Sequence, residues 1–369
     1  MRKDILYIIV FVFVLVGSCK KDVTTTNNQN PNTSGDTLLN PYVFNIPRFG
    51  PPYIYAPNPM TNEGVDLGRH LFFDPIISSN GRTCSTCHPQ STSFTTTYTA
   101  QGLNPVDYQD FGTPPILCNE AWKKTYGWNG VFTDMDHIAI VDLDAVNFPQ
   151  FLKPNIDSVT AKIKANPYYS YMFRRVFKGR DIYNKPDTLK ECISFALAQY
   201  VRTIVMYQSK FDKYMNGLVQ LTPSEYNGYQ IFFTERGDCF HCHGSYPLMT
   251  DNGFHNNGID SVFTGPSNSG RYTVTFLEKD MGVFQSPTLR NIELTAPYMH
   301  DGRFATLEEV IEHYNSGVTK TPTIDPLFTL PQKAMGLQLS TQEKRDLKAF
   351  LLTLTDTTVL YNPAFSKPK

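Results

Sequence analysis

The chain has 369 residues, which is enough for two domains of ordinary size that each bury a core. Its 33 Lys and Arg residues almost balance its 34 Asp and Glu residues, so the formal net charge is -1. Because proteins that bind phosphate backbones carry an excess of basic residues, we expect no nucleic-acid partner.

The amino terminus has the pattern of an export signal. Two basic residues precede an apolar run at residues 5–16, and small residues stand directly before Cys19. This order resembles a bacterial lipoprotein signal and predicts a signal peptide over residues 1–19, with lipid on the Cys19 thiol. An uncleaved anchor is the alternative, although the run is short for a full membrane span. Either pattern places the protein in the cell envelope, facing the periplasm or as an outer-membrane lipoprotein, with the membrane as a partner through the N-terminal anchor.

A polar segment separates this signal from the first structured residues. Residues 20–45 are rich in Thr, Asn, Ser and Pro, and we expect a disordered tether there. Thr61 or Asn62 can then cap a helix whose apolar residues continue at helical spacing to Phe72. Asp74 and the proline after it are predicted to end that helix.

Two pentads carry the chemistry of the chain: CSTCH at residues 84–88 and CFHCH at residues 239–243. Two thiols three positions apart can form thioethers to the vinyl groups of haem, and the histidine that follows can bind the iron. A zinc knuckle would need further Cys or His nearby, and a redox dithiol would not need the trailing histidine twice. The pentads therefore predict two covalently bound haem c groups, attached through Cys84, Cys87, Cys239 and Cys242.

Helical spacing dominates the rest of the sequence. Further helices are predicted at residues 157–164, 168–177 and 189–207, and capping boxes open others at Thr222, Thr306 and Ser340. No alternation typical of strands persists, so we predict a mainly α protein with two cytochrome c-like haem domains and long loops. We place the domains at residues 46–212 and 213–369.

The two cysteines outside the pentads and the signal are Cys118 and Cys192. Cys192 lies on the apolar face of a predicted helix, where an unreactive buried thiol is common. We therefore expect no disulfide between them, although an exported protein could form one.

With these residues in place, the chain resembles the bacterial di-haem cytochrome c peroxidase family, which includes the enzyme that matures methylamine dehydrogenase. The most specific matches are LGRHLFFD at residues 67–74, SPTLRN at residues 286–291 and APYMHDG at residues 296–302. The resemblance implies that the N-terminal haem meets peroxide and that the C-terminal haem receives electrons from a donor. It also implies that His88 and His243 are the proximal iron ligands.

Three residues are candidate catalytic groups. Trp128, in YGWNG, matches the tryptophan that the family places between its haems, where an indole can carry an electron; a packed core residue is the alternative. His300 lies in the matched APYMHDG segment. His137 is a candidate acid/base for peroxide cleavage, because it follows the tryptophan motif where the family has Gln and Glu.

The distal side of the first haem departs from the family. No histidine occurs between His88 and His137, which suggests a first iron that is already open to peroxide. Aspartates near His137 could take its acid/base role, and solvated surface residues are the alternative. These aspartates are Asp134, Asp136, Asp142 and Asp144.

The sixth ligand of the second haem also differs. Counting from His300, Tyr314 occupies the position where the peroxidases have a ligand methionine, and the maturation enzyme has a tyrosine there. A phenolate oxygen is a harder ligand than a thioether and favours ferric iron. Met299 is the rival ligand.

Other residues could contact the cofactors. Arg69, Arg290 and Arg303 are candidate partners of haem propionates, because a guanidinium matches a carboxylate with two hydrogen bonds. Thr295 and Pro297 match family positions that hold an interdomain calcium, but the matching Asn is replaced near Thr113, so calcium stays an open candidate. His70, His241 and His255 receive no role.

The leading functional prediction is a peroxidase that reduces hydrogen peroxide to water with electrons from a small cytochrome or similar donor. One alternative is a peroxide-dependent oxidase of a protein or organic substrate that uses a haem with His and Tyr ligands. The other is a di-haem electron carrier without catalysis. The sequence leaves a homodimer open.

Overall fold

The computed structural model of the chain describes residues 38–46, 49–95, 112–143, 152, 154–333 and 335–369, without the side chains of Asp142 and Pro266. The predicted signal peptide, most of the predicted tether and Asp144 lie outside these residues. Residues 39–369 form one compact unit. Within the described ranges, no helix has both the length and the apolar character needed to cross a membrane.

The described chain is mainly helical, as the sequence predicts. In order, the α-helices are α1 (Asn62–Phe73), α2 (Cys84–Cys87), α3 (Ala139–Asp142), α4 (Ile156–Ala165), α5 (Pro167–Val176), α6 (Pro186–Arg202), α7 (Lys210–Met215), α8 (Pro223–Phe232), α9 (Phe240–His243), α10 (Gly265–Ser269), α11 (Tyr272–Thr275), α12 (Leu307–Glu312) and α13 (Thr341–Leu352). Two short strands, β1 (Phe254–His255) and β2 (Phe284–Gln285), pair antiparallel with Phe254 opposite Gln285. This ribbon is the one sheet among the described residues.

Most helices begin where their capping residues predict. The Thr61 side chain accepts a hydrogen bond from Gly64 N at the start of α1. Capping boxes with both reciprocal bonds open α8, α12 and α13, at Thr222, Thr306 and Ser340. The local sequence therefore fixes these helix starts without help from distant residues.

The structure differs from the predicted helix at residues 189–207 in where the helix ends. Helix α6 ends at Arg202, although apolar residues continue at helical spacing to residue 207. Asn119 Oδ1 accepts a hydrogen bond from Met206 N at 2.8 Å, and Asn119 N donates to Ile204 O at 3.0 Å. These bonds to a distant loop replace the intrahelical bonds that residues 204–206 would otherwise make.

Buried apolar residues form two large cores. The first contains residues of α1, α4, α5 and α6, including the buried thiols Cys118 and Cys192, which are not joined in a disulfide. Burial raises the pKa of Cys192 to about 12, so its thiol stays protonated and unreactive. The second core contains residues of α7, α8, α12 and α13.

The same close helix contact occurs in both cores. A Cβ atom added at Gly68 in α1 would lie 1.9 Å from the carbonyl oxygen of Ala196 in α6. One added at Gly228 in α8 would lie 1.9 Å from the carbonyl oxygen of Asp346 in α13. In each core, the helix that carries the glycine precedes a pentad helix, α2 or α9, along the chain. The two halves therefore repeat one order of elements: a glycine-bearing helix, a pentad turn and a later helix packed on the first.

The carboxy-terminal segment packs against the first core. Val359 and Phe365 are buried there, and Tyr200 Oη donates to Phe365 O at 2.8 Å. Gln90 Nε2 donates to Val359 O at 2.8 Å. The division into domains at residues 46–212 and 213–369 remains a prediction, and the last residues of its second part contact the core of its first part.

We predict that Gly68→Ala and Gly228→Ala each destabilise the protein by about 1–3 kcal/mol, because the added methyl group would push two helix backbones apart. The free energy of unfolding in denaturant would measure this. Gly50→Ala is the matched control, since a Cβ atom there would meet no atom within 4 Å. Equal stabilities of all three variants would contradict the role of the two glycines.

Candidate functional site

The first pentad forms a single helical turn, α2, and His88 follows it directly. His88 Nδ1 lies 2.9 Å from Phe94 O. Because a carbonyl oxygen only accepts, Nδ1 carries the proton and Nε2 keeps its lone pair. Burial lowers the pKa of His88, against the effect of the Phe94 and Pro115 carbonyls, so the ring is neutral at neutral pH. These properties suit an iron ligand.

The second pentad forms the corresponding turn, α9, which ends at His243. His243 Nδ1 lies 3.4 Å from Ser286 Oγ, and that hydroxyl donates to Cys242 O at 3.1 Å. Burial lowers the pKa of His243 to about 4, so this ring is also neutral and able to bind a metal through a nitrogen lone pair. Neither pentad closes a disulfide between its own cysteines. Both pentads therefore fit covalent haem c.

Trp128 and His300, two of the three predicted catalytic residues, lie next to each other. Trp128 Nε1 donates to Thr113 O at 2.8 Å, and Thr113 N donates to His300 O at 2.7 Å. The two rings meet edge to face with centroids 6.5 Å apart. The His300 ring also stacks on Phe284, with centroids 3.8 Å apart. We call Thr113, Trp128, Phe284 and His300 the tryptophan cluster.

The tryptophan cluster is connected to both proximal histidines. On one side, Thr113 is followed two residues later by Pro115, whose carbonyl faces His88. On the other side, Trp128 O accepts from Gln285 N at 2.7 Å, and the next residue, Ser286, contacts His243. Two short segments, residues 113–115 and 284–286, therefore link Trp128 to the two histidines.

The two rival sixth ligands lie beside the same side chain. Asn257 Nδ2 is 3.3 Å from Tyr314 Oη and 3.5 Å from Met299 Sδ. Tyr314 belongs to a π-helical turn, His313–Gly317, that follows α12. Such turns are rare in proteins, and those that occur often lie at functional sites. Burial raises the pKa of Tyr314, although the hydrogen bond from Asn257 opposes this.

Tyr314 also lines a cavity of about 210 Å³. Apolar side chains form much of its wall, and Phe328 stacks on the Tyr314 ring with centroids 6.0 Å apart. Two cationic residues, Lys320 and Lys333, contribute to the lining. An apolar wall of this kind suits part of a haem, and sequence reasoning gave no signal for either lysine.

The three arginines predicted to bind propionates all have partners within the protein. Arg290 is buried and donates to both oxygens of Asp212, at 2.8 and 2.9 Å. Arg303 donates to Asp260 and Asp301, each at 2.7 Å. Arg69 Nη2 lies 3.3 Å from Asp66 Oδ1. A role for these arginines toward propionates remains a prediction, and for Arg290 it would require a buried ion pair to open.

His137 is held by carboxylates. Its Nδ1 lies 2.6 Å from Asp134 Oδ2, and its Nε2 lies 3.7 Å from Glu191 Oε1. No described hydrogen bond or ring contact joins His137 to His88 within the resolved ranges of the chain. Asp136 has both oxygens engaged by Arg202 in a buried pair, so it serves the core of the first half. The acid/base role of His137 therefore remains a prediction.

Calcium at Thr295 and Pro297 also remains a prediction. Among the described residues, the group of carboxylates and imidazoles that could surround a metal is Glu235, Asp238 and His241. Asp238 is already paired with the cationic Lys333. This pairing works against a second cation at the same carboxylate.

His255, which received no role from the sequence, is the centre of an ionic clamp beside the second pentad. Its Nε2 lies 2.8 Å from Asp251 Oδ2 and its Nδ1 lies 2.6 Å from Asp325 Oδ2. Asp251 N donates to Cys242 O at 2.8 Å. Both ring nitrogens face carboxylates, so both carry protons, and these partners raise the pKa of His255 to about 12. The partners lie 4 and 70 residues away in the chain, and no local motif marks such a pairing.

Comparisons of sequence identify the family of the chain. The family profile described as di-haem cytochrome c peroxidase matches residues 62–220. The methylamine utilization protein MauG of Methylorubrum extorquens is 31% identical over 301 residues, which cover 80% of this chain and 79% of the relative. The cytochrome c551 peroxidase of Nitrosomonas europaea is 30% identical over 305 residues, which cover 82% of this chain and 83% of the relative.

Solved structures show the same fold. A MauG-like protein associated with microbial copper homeostasis has a TM-score of 0.75 and 32% identity, over 89% of this chain and 99% of that chain. The diheme peroxidase BthA from Burkholderia thailandensis has a TM-score of 0.66 and 19% identity, over 85% of this chain and 91% of that chain. The chain belongs to the di-haem cytochrome c peroxidase family, whose named members are oxidoreductases. Membership implies haem c as the cofactor.

We predict that His255→Gln destabilises the protein by about 1–2 kcal/mol, discounted for partial exposure of the clamp. The raised pKa of His255 gives stability that is complete below its ordinary value of 6.5 and is lost as pH rises toward about 12. The lowered pKa values of Asp251 and Asp325 give stability that is complete above their ordinary value of 3.8 and is lost at lower pH. The difference in Tm from the unaltered protein should therefore be largest between about pH 4 and pH 6.5. A difference that does not change with pH would contradict the clamp.

Proposed function

We propose that this protein is a di-haem c-type peroxidase that reduces hydrogen peroxide to water with electrons from a small redox donor such as a cytochrome. The observation that carries the proposal is the connection of Trp128 to both proximal histidines, through residues 113–115 and residues 284–286. An electron carrier with two independent haems would not need an oxidisable ring between them. A peroxidase needs one, because electrons enter at one haem and are used at the other.

The reaction consumes two electrons and two protons for each peroxide and gives two waters. Bound haem would supply the iron centre that accepts peroxide, on the His88 side of the site. His88 and His243 would each present Nε2, because Nδ1 is occupied by Phe94 O in one case and by Ser286 Oγ in the other. Trp128 would pass single electrons, and Thr113 O keeps its indole N–H hydrogen-bonded.

Proton delivery is assigned to His137. Asp134 lies 2.6 Å from Nδ1 and orients the ring, as a carboxylate does for a general acid/base histidine. Both side chains are about one-third exposed, which lets His137 exchange protons with water. His300 is a poor proton donor, because burial lowers its pKa and favours the neutral ring. We assign His300 the task of packing against Trp128.

The proposal includes the predicted organisation of the chain. A peroxide-facing haem domain at residues 46–212 and an electron-accepting haem domain at residues 213–369 are supported by the two cores and by the repeated glycine contact. A lipid on Cys19 would hold the enzyme in the cell envelope, where it could meet a small cytochrome. Whether two copies associate is left to measurement.

An electron paramagnetic resonance spectrum of the as-isolated diferric protein, repeated after one equivalent of peroxide, would test the proposal. We expect a high-spin ferric signal that peroxide removes, because a first haem without a distal histidine ligand would leave its iron open to peroxide. Two low-spin signals that ignore peroxide both before and after one-electron reduction would identify an electron carrier and overturn the proposal.

We predict that Trp128→Phe slows electron transfer between the haems by about tenfold or more, roughly 1.4 kcal/mol of barrier, because a phenyl ring is much harder to oxidise than an indole. Stopped-flow absorbance after peroxide addition to the half-reduced protein would measure the rate. Trp122→Phe is the matched control: the other tryptophan of the chain packs with Phe44 and Phe49 and donates to Gly50 O. Equal rates in the two variants would remove Trp128 from the pathway.

The second candidate function is peroxide-dependent oxidation of a protein or organic substrate. The observation that favours it is Tyr314, a half-buried phenol held in a π-helical turn where the peroxidases of the family have methionine. A relative at 31% identity is named a methylamine utilization protein. Peroxide turnover without any reduced cytochrome, coupled to loss of an added organic reductant or of aromatic side chains in an added protein, would favour this function. Turnover that requires reduced cytochrome would favour the peroxidase.

A further inference from the structure

Asn257 lies between the two candidate sixth ligands of the second haem. Its Nδ2 atom is 3.3 Å from Tyr314 Oη and 3.5 Å from Met299 Sδ. A carboxamide nitrogen carries two hydrogens, so one side chain can donate to both atoms at once. Asn257 therefore contacts each atom that could complete the coordination of the iron.

The surroundings hold Asn257 in this position. Its backbone carbonyl accepts a hydrogen bond from His313 Nε2 at 3.0 Å, and His313 directly precedes Tyr314 in the π-helical turn. The strand β1 ends two residues before Asn257. The amide is thus fixed relative to the turn that presents the phenol.

Met299 is also held, by an unusual backbone conformation. Its φ angle is +74°, in the left-handed region that a methionine rarely adopts. Thr113 Oγ1 donates to Met299 O at 3.3 Å, and Gly302 N donates to the same oxygen at 3.3 Å. This conformation sends the His300 ring to the tryptophan cluster while the Met299 sulfur meets Asn257. The Met299 sulfur therefore lies beside the same amide as Tyr314 Oη, and it would compete with that oxygen for the iron.

We propose that Asn257 is a positioning residue that selects Tyr314 over Met299 as the sixth ligand of the second haem. One N–H stabilises the negative charge of the phenolate oxygen, and the other occupies a lone pair of the thioether sulfur. Charge-assisted hydrogen bonds are stronger than neutral ones, so the pair of bonds favours the phenolate. The inference rests on the proposed di-haem function and on the prediction that Tyr314 is a ligand of the second haem.

Asn256 provides a matched control in the same segment. It is buried, and its Nδ2 donates to Thr323 Oγ1 at 2.9 Å and lies 3.2 Å from Thr321 Oγ1. Its Oδ1 accepts from Gly258 N at 2.9 Å. It has no described contact with Tyr314 or Met299, so its amide supports the loop without touching either ligand.

The test compares Asn257→Leu with Asn256→Leu in the full-length protein with both haems attached. The leucine side chain is similar in size and shape to that of asparagine and has no N–H group to donate. In Asn257→Leu we expect the second haem to gain the far-red charge-transfer absorption of a thioether bound to ferric iron. Its midpoint potential should rise by about 59 mV or more, a tenfold change in the ferric to ferrous ratio for one electron. The added absorption should disappear in the double variant Asn257→Leu, Met299→Leu.

The outcomes distinguish a failure of the inference from a failure of the ligand assignment on which it depends. If Tyr314→Phe leaves the spectrum of the second haem unchanged, Tyr314 is not a ligand, and both the assignment and the inference are wrong. If Tyr314→Phe changes the spectrum but Asn257→Leu does not, the assignment stands and the inference alone is wrong. Equal changes in Asn257→Leu and Asn256→Leu would show a general effect of loop damage and would also overturn it.

A measurement on the unaltered protein covers the case in which Asn257→Leu does not fold. Resonance Raman spectra in H2O and D2O would follow the stretch between iron and phenolate oxygen. We expect a shift in D2O, because exchange of the Asn257 N–H alters the hydrogen bond to that oxygen. An unshifted band would contradict the proposed bond.

Discussion

The site depends on two neutral imidazole rings, those of His88 and His243, which each keep one nitrogen lone pair free to bind iron. A histidine that binds a metal through one nitrogen almost always donates its other ring N–H to a partner, and this bond fixes the tautomer and the orientation of the ring. The partners here are Phe94 O for His88 and Ser286 Oγ for His243, and both rings have their pKa lowered by burial. The segment that brings Ser286 to His243 also holds Trp128, through the bond from Gln285 N to Trp128 O, so the orientation of His243 and its connection to Trp128 rest on the same backbone segment.

Local signals allowed much of the fold to be predicted. The pentads, the helix from Asn62 and the capping boxes at Thr222, Thr306 and Ser340 depend on residues within a few positions of each other. The end of α6 could not be predicted, because Asn119 competes for the same backbone from 87 positions away. Sequence spacing describes what a segment can do alone, and it gives no sign when a distant side chain takes over its hydrogen bonds.

Charged residues were the least predictable part of the site. A guanidinium fits a propionate and an aspartate equally well, so the sequence could not show that Arg290 lies against Asp212, 78 positions away. His255 looked like an ordinary polar residue in a loop rich in Gly and Asn, although two carboxylates meet its ring. No pattern in the sequence marked Asn257, for the same reason. Its proposed role depends on Tyr314 and Met299, which approach it only in the folded chain.

The segment at residues 359–365 completes the core that α1 begins. Val359 and Phe365 are buried with α1 and α6, and Phe365 O closes a hydrogen bond with Tyr200. The packing of this core is therefore complete only when Phe365 has reached Tyr200, 165 positions earlier in the chain. A contact between residues so far apart closes a long loop, and the chain entropy lost in closing it makes such contacts slow to form, so we expect this half of the protein to finish folding late.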